Sequence, residues 1–88
     1  MYYLYLLRCT DNSLYCGQTK DLQRRVKEHN DDDSKSKYTR ARRPVKLVYF
    51  EKYSTLQKVM RREIQIKRWT KAKKEALVKG GSRLLKRL

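Results

Sequence analysis

The sequence predicts an α+β domain whose elements follow the order β-β-α-β-α-α, and three observations predict it. Two runs rich in aromatic and aliphatic residues flank the polar triplet Thr10-Asp11-Asn12, the composition of a β-hairpin. An amphipathic stretch follows the second run. Pro44 to Tyr53 is then a third run of strand type, ahead of two further helical stretches. Eighty-eight residues make one domain with a modest core, placed here at residues 1–80, with 81–88 as a short basic C-terminal tail.

The hairpin pairs Tyr2 to Cys9 with Ser13 to Gln18, and its turn decides what it displays. A two-residue turn at Asp11-Asn12 puts Tyr5 and Tyr15 on opposite faces. A three-residue loop with Asn12 in the left-handed conformation pairs Cys9 with Ser13, Leu7 with Tyr15 and Tyr5 with Gly17. The second register is preferred because Asn tolerates that conformation and because Leu4, Leu6, Leu14 and Cys16 then form one apolar face. It also sets Cys9 and Cys16 on different faces, where they remain free thiols.

The first helix follows Asp21. At about 100° per residue, Leu22, Arg25, Val26 and His29 share one side and Arg24, Lys27 and Glu28 the other. Arg25 is therefore the arginine turned toward the protein body. A guanidinium there needs an anion, either a carboxylate of the chain or a phosphate from outside.

Asn30 to Arg43 is polar and aperiodic and reads as a loop. It is acidic first; then Lys35, Lys37, Arg40, Arg42 and Arg43 surround Tyr38 and Thr39. A solvated surface loop and a phosphate-contacting loop with a stacking ring explain it equally well. Pro44 opens the third strand, where a missing N–H does least harm. Ser54-Thr55-Leu56-Gln57 has the form of a capping box for a helix running to about Trp69, with Leu56, Val59, Met60 and Ile64 as its apolar stripe and Ile66 at the edge. Glu63 sits within that stripe. An ion pair with Arg25 or Lys67 explains such a residue, as does a role as hard oxygen ligand for Mg²⁺. Thr70 caps a third helix, which Gly80-Gly81 ends, with Ala72, Ala76 and Leu77 inward and Trp69 against them.

Charge narrows the partner. Twenty-four Lys and Arg against nine Asp and Glu leave a net charge of +15. Such a chain attracts polyanions. The cations run along the whole chain instead of lining one amphipathic helix, which favours nucleic acid over a membrane surface. The opening apolar run is too short for a membrane span and lacks the basic start and cleavage site of a leader, so a cytoplasmic, reducing location is expected. Cysteine and histidine are too few, at the wrong spacing, for a structural zinc site.

With these residues in view, the chain resembles the GIY-YIG endonuclease family, in particular its small single-domain bacterial members. The first signature tripeptide stands as Tyr3-Leu4-Tyr5 and the second as Tyr15-Cys16-Gly17. The match runs on through Lys20-Asp21-Leu22 and Arg24-Arg25 to His29, and more loosely through Tyr38-Thr39 and Arg42-Arg43-Pro44-Val45 to the helix bearing Glu63. Tyr3 replaces the signature's first glycine and Cys16 its central isoleucine, neither at a catalytic position.

The resemblance implies a three-stranded antiparallel sheet flanked by three helices, and phosphodiester hydrolysis of DNA or RNA assisted by one divalent cation, Mg²⁺ or Mn²⁺. In it, Tyr5 corresponds to the phenol that helps activate water, Tyr15 to its partner, Arg25 to the arginine at the scissile phosphate and Glu63 to the metal ligand. His29 holds a position suited to a supporting or proton-transfer role. Gly17 is expected to keep the strand bare beside Tyr5 so that a phosphate can approach. Cations around Tyr5 are expected to lower its pKa from about 10. Family members usually gain specificity from an added domain or a partner protein, so a protein partner is a further expectation. The alternative is a non-catalytic nucleic-acid-binding module or adaptor that retains the fold.

Overall fold

A computed structural model of the chain describes residues 1–31 and 37–85. Its elements are β1 (Tyr2–Arg8), β2 (Leu14–Thr19), α1 (Leu22–Asn30), α2 (Lys37–Arg40), β3 (Lys46–Tyr53), α3 (Leu56–Lys67) and α4 (Lys71–Leu85). The strands form one antiparallel sheet in the order β2-β1-β3. As the central strand, β1 is covered on both faces. Leu4, Tyr5, Leu6 and Leu7 are each 1% exposed or less, which is why β1 reads as a continuous run and not as an alternation.

The hairpin takes the three-residue loop. Cys9 N–H donates to Ser13 O at 3.0 Å, Asn12 N–H donates to Cys9 O at 3.0 Å, and Asn12 has φ 68°. Tyr5 therefore pairs with Gly17 and Leu7 with Tyr15. One sheet face, with Leu4, Leu6, Leu14 and Cys16, packs on Val59 and Ile66 of α3 and Val78 of α4. The other, with Tyr5, Leu7 and Cys9, packs on Leu22 and Val26 of α1. Both cysteines are free, one on each side.

Four expectations need correction. First, β3 starts at Lys46, two residues after Pro44, because Val45 pairs with a side chain: Asn30 Oδ1 accepts from Val45 N at 2.7 Å and Asn30 Nδ2 donates to Val45 O at 3.1 Å. Second, the presumed loop holds the one-turn α2. Arg42 secures it, donating from Nη1 to Tyr38 O and from Nε to Asp11, each at 2.8 Å.

Third, α3 is capped by Thr55, whose hydroxyl accepts from Lys58 N at 3.3 Å, and not by Ser54. The helix is also rotated from its expected stripe. Val59 and Ile66 are fully buried, while Leu56, Met60 and Ile64 are 44%, 46% and 52% exposed. The rotation places Arg62 against the sheet, where it donates to Glu51 from Nε at 2.9 Å and from Nη2 at 3.0 Å. Glu51 also accepts from the Tyr49 and Tyr53 hydroxyls. A fully hydrogen-bonded carboxylate makes an inward arginine tolerable.

Fourth, α4 begins after the Thr70 cap as expected but runs through Gly80-Gly81 to Leu85. Gly81 is buried, and a Cβ there would collide with the ring of Tyr49, whereas one on Gly80 would meet open space. Glycine at 81 serves helix–sheet contact, not helix termination. Arg8 and Glu75, joined by two 2.5 Å hydrogen bonds, tie α4 to the end of β1.

The two glycines should therefore respond oppositely to alanine. Gly80→Ala is expected to raise stability by about 0.5–1 kcal/mol through helix propensity. Gly81→Ala should lower it, because overpacking of about 1–3 kcal/mol exceeds the same gain. Urea unfolding of the two variants checks the sign of each.

Acid should also weaken the fold through Glu51. Burial pushes its carboxyl up, but hydrogen bonds from Arg62, Tyr49 and Tyr53 outweigh burial and hold it below the usual range. A lowered folded pKa supplies stability above the unfolded value of about 4.3, and that stability is lost as pH falls through the folded value. Glu51→Gln should be less stable than wild type at neutral pH, with the gap closing on acidification in urea melts.

Candidate active site around Tyr5

Tyr5 reaches its place because Gly17, its partner on β2, has no side chain. A Cβ at 17 would lie 2.6 Å from Tyr5 Cζ and closer still to the hydroxyl. The bare strand thus receives the phenol itself, not an approaching phosphate as the sequence suggests. Helix α1 supplies the partners. Asp21 caps it by accepting from Arg24 N at 3.1 Å, and the expected face then turns inward, with Arg24 largely exposed and His29 1% exposed.

Two side chains meet at the phenol, and a third backs one of them. Arg25 Nε donates to Tyr5 Oη at 3.4 Å, His29 Nε2 lies 2.9 Å from the same oxygen, and His29 Nδ1 lies 2.8 Å from Thr39 Oγ1. Rings close the cluster. Tyr15 meets His29 with centroids 5.0 Å apart and Tyr5 at 6.4 Å. Tyr38 stacks obliquely on Tyr15 at 5.8 Å and carries the Arg42 guanidinium 4.1 Å from its own centroid.

Burial raises Tyr5 to about 12, although the Arg25 hydrogen bond and charge pull it down, with Tyr15 and Glu63 adding to the rise. The expected lowering is therefore overturned in this state. Desolvation of a phenolate outweighs one nearby guanidinium. His29 is pushed down to about 4, by burial first and by the charge of Arg25 second, with Glu28 opposing. At neutral pH the pair is a neutral phenol beside a neutral imidazole.

The anion that answers Arg25 is Glu28, which accepts from Nη1 at 2.9 Å and from Arg24 Nε at 3.0 Å. Periodicity set Glu28 on the far side of α1, but long side chains three residues apart meet regardless. Arg25 Nη2 makes no hydrogen bond among the described residues and is free to take one from an anion.

Glu63 comes from the other layer. It lies on the sheet-facing side of α3 between Val59 and Ile66, and its charge pushes up both Tyr5 and Cys16, so it is within electrostatic reach of the phenol. It does not pair with Arg25. Its one ion pair among the described residues is with Lys67 Nζ at 3.8 Å, too long for a hydrogen bond. Glu28, Glu51 and Glu75 all accept guanidinium hydrogen bonds; Glu63 accepts none among the described residues. No group of three or more metal-binding side chains exists among the described residues.

The basic loop is more structural than its composition suggests. Besides Arg42, Arg43 donates to Arg40 O at 2.9 Å and to Asn30 O at 3.4 Å. Arg40 and Tyr38 are exposed. Lys35 and the side chain of Lys37 lie outside the described residues. Sequence reasoning missed Thr39 and Glu28 as members of the site. Only the match at Tyr38-Thr39 hinted at the first, and the three-residue spacing from Arg25 at the second.

Comparison with known proteins supports the resemblance. The GIY-YIG catalytic domain profile matches residues 1–76. A UPF0213 protein of Bacillus pumilus is 47% identical over 77 residues, covering 88% of this chain and 78% of that one. One from Haloquadratum walsbyi is 46% identical over 81 residues, 92% and 90% of the two chains. The solution NMR structure of a UPF0213 protein from Bacillus halodurans is similar with a TM-score of 0.58 at 40% identity, over 90% of this chain and 84% of that one. No described helix is long and apolar enough to cross a membrane. The nuclease fold, the two tyrosines and the arginine beside them all point one way: this chain belongs to the GIY-YIG family.

Proposed function

We propose that the protein is a phosphodiester hydrolase acting on DNA or RNA, with Tyr5 as the group that takes the proton of the attacking water. The observation that carries this reading is the 3.4 Å contact between Arg25 and the Tyr5 hydroxyl, which puts a phosphate-binding cation and a proton-handling oxygen side by side. A net charge of +15 supports a polyanionic substrate. Arg25 binds the phosphate through its free Nη2, and through Nη1 once Glu28 yields it. Tyr15 walls the site and holds His29 and Tyr38 in place.

The chain fits a cation that needs little from the protein. Mg²⁺ and Mn²⁺ accept one carboxylate and complete their shells with water and phosphate oxygens, and Glu63 is the glutamate with unclaimed lone pairs. Such an ion, when bound, stabilises charge on the phosphate and on the leaving oxygen. Lys67, half exposed, can swing aside. A second reading is a binding module without catalysis, favoured by a phenol held at about 12 beside a guanidinium already paired with Glu28.

Plasmid, branched DNA and structured RNA incubated with purified protein and Mg²⁺ or Mn²⁺ separate the two readings. Arg25→Ala and Tyr5→Phe are expected to lose about 10²–10³-fold in cleavage rate. Glu63→Gln should lose the metal-dependent rate while its salt-dependent binding persists. Variants as active as wild type would place the chemistry elsewhere, and binding with no cleavage under either metal would leave the binding module standing.

The imidazole offers an independent check. His29 is the chain's one histidine, so its NMR signals need no assignment. They should show a neutral ring down to ~pH 5, well below the ordinary pKa of about 6.5. The unfolded chain takes up a proton between about 6.5 and about 4 that the folded chain does not, so stability should fall as pH drops through that window.

A further inference from the structure

We infer that Thr39 is a positioning residue that fixes the tautomer of His29, so that the imidazole presents a bare Nε2 to the Tyr5 hydroxyl and accepts its proton during the reaction. The inference rests on the nuclease reading for its purpose, but its geometry stands by itself.

The proton positions follow from elimination. Tyr5 is 1% exposed and has two polar partners among the described residues, Arg25 Nε and His29 Nε2. Guanidinium is a donor only, so the phenol O–H must point at the histidine. Nε2 is then the acceptor, and the ring proton of the neutral imidazole resides on Nδ1. That N–H faces Thr39 Oγ1 at 2.8 Å, and Thr39 is fully buried, as its partner nearly is. A buried N–H without this partner would carry a desolvation penalty, so Thr39 makes the productive tautomer the stable one. The order runs Arg25 to Tyr5 to His29 to Thr39, each donating to the next.

This order gives Tyr5 a way to act while its own proton is in place. As water gives a proton to Tyr5 Oη, the phenol passes its original proton to His29 Nε2, and Tyr5 ends the step neutral. The hydroxide forms a bond to phosphorus, the bond from phosphorus to the leaving oxygen breaks, and that oxygen takes a proton from solvent. His29 then returns its proton to solvent. Arg25, whose charge opposes protonation of the ring, is neutralised by the substrate phosphate at the moment the ring must accept. Thr39 also explains why α2, a single turn in a polar stretch, is anchored to the hairpin. Thr10 N donates to Arg42 O at 3.1 Å and Arg42 N to Thr39 O at 3.0 Å, which fixes the threonine over the imidazole.

The test is long-range ¹H–¹⁵N correlation on the ¹⁵N-labelled full chain without nucleic acid, read together with cleavage. Wild type and Thr39→Ser should show a protonated Nδ1 and a bare Nε2. Thr39→Val should move the ring toward the Nε2–H form and slow cleavage about 10–100-fold, with the serine variant restoring both. A wild-type ring protonated on Nε2 overturns the inference whether or not the variants fold. So does a Thr39→Val protein that keeps the Nδ1–H form, or one that changes tautomer yet cleaves at the wild-type rate. The predicted tautomers in a wild type that cleaves nothing would support Thr39 as the residue setting the ring while counting against the nuclease reading.

Discussion

A phenol buried in the middle of the central strand is the constraint on which this fold turns. Tyr5 has hydrophobic area suited to a core and a hydroxyl that is not, and burying that hydroxyl requires partners. The chain meets the requirement with Arg25 and His29 on one helix and leaves room for the ring by placing Gly17 opposite. Helix α1 must therefore sit in one rotation and at one height over the sheet. The cap at Asp21 and the Asn30–Val45 pairing fix its two ends.

The electrostatics follow a similar economy. In a chain with 24 cations and nine acids, carboxylates are scarce, and the structure uses them as staples. Asp11 holds Arg42, Glu75 holds Arg8, and Glu51 holds Arg62 together with two tyrosines. Each joins segments distant in sequence; the Glu75 and Glu51 pairs are partly shielded from water, and the Asp11 pair is exposed. Among the described residues, most remaining cations are left to solvent and to whatever polyanion the protein meets. Glu63 is the exception among the glutamates, since its one ion-pair partner among the described residues is a half-exposed lysine beyond hydrogen-bonding distance.

The two sheet faces divide the labour. The face under α3 and α4 carries the larger aliphatic cluster and the ion pairs that hold the layers together. The face under α1 carries Tyr5 and Tyr15 and meets the imidazole and the guanidinium.

Turn chemistry and periodicity were enough to read much of this from the chain. Asn12 settled the hairpin register, and with it the shared face of Tyr5 and Tyr15 and the separation of the two cysteines. The 3.6-residue period singled out Arg25 from Arg24 and put His29 beside it. Such features are local, because each depends on residues within a turn or two. The tertiary structure decided the rest. It rotated α3 so that Arg62 meets Glu51, carried α4 through Gly81 because the Tyr49 ring lies beneath it, and set Thr39 over His29. It also raised the Tyr5 pKa where nearby cations suggested the opposite. The partner of a buried charge and the depth of a buried hydroxyl depend on segments tens of residues away, and no local pattern records them.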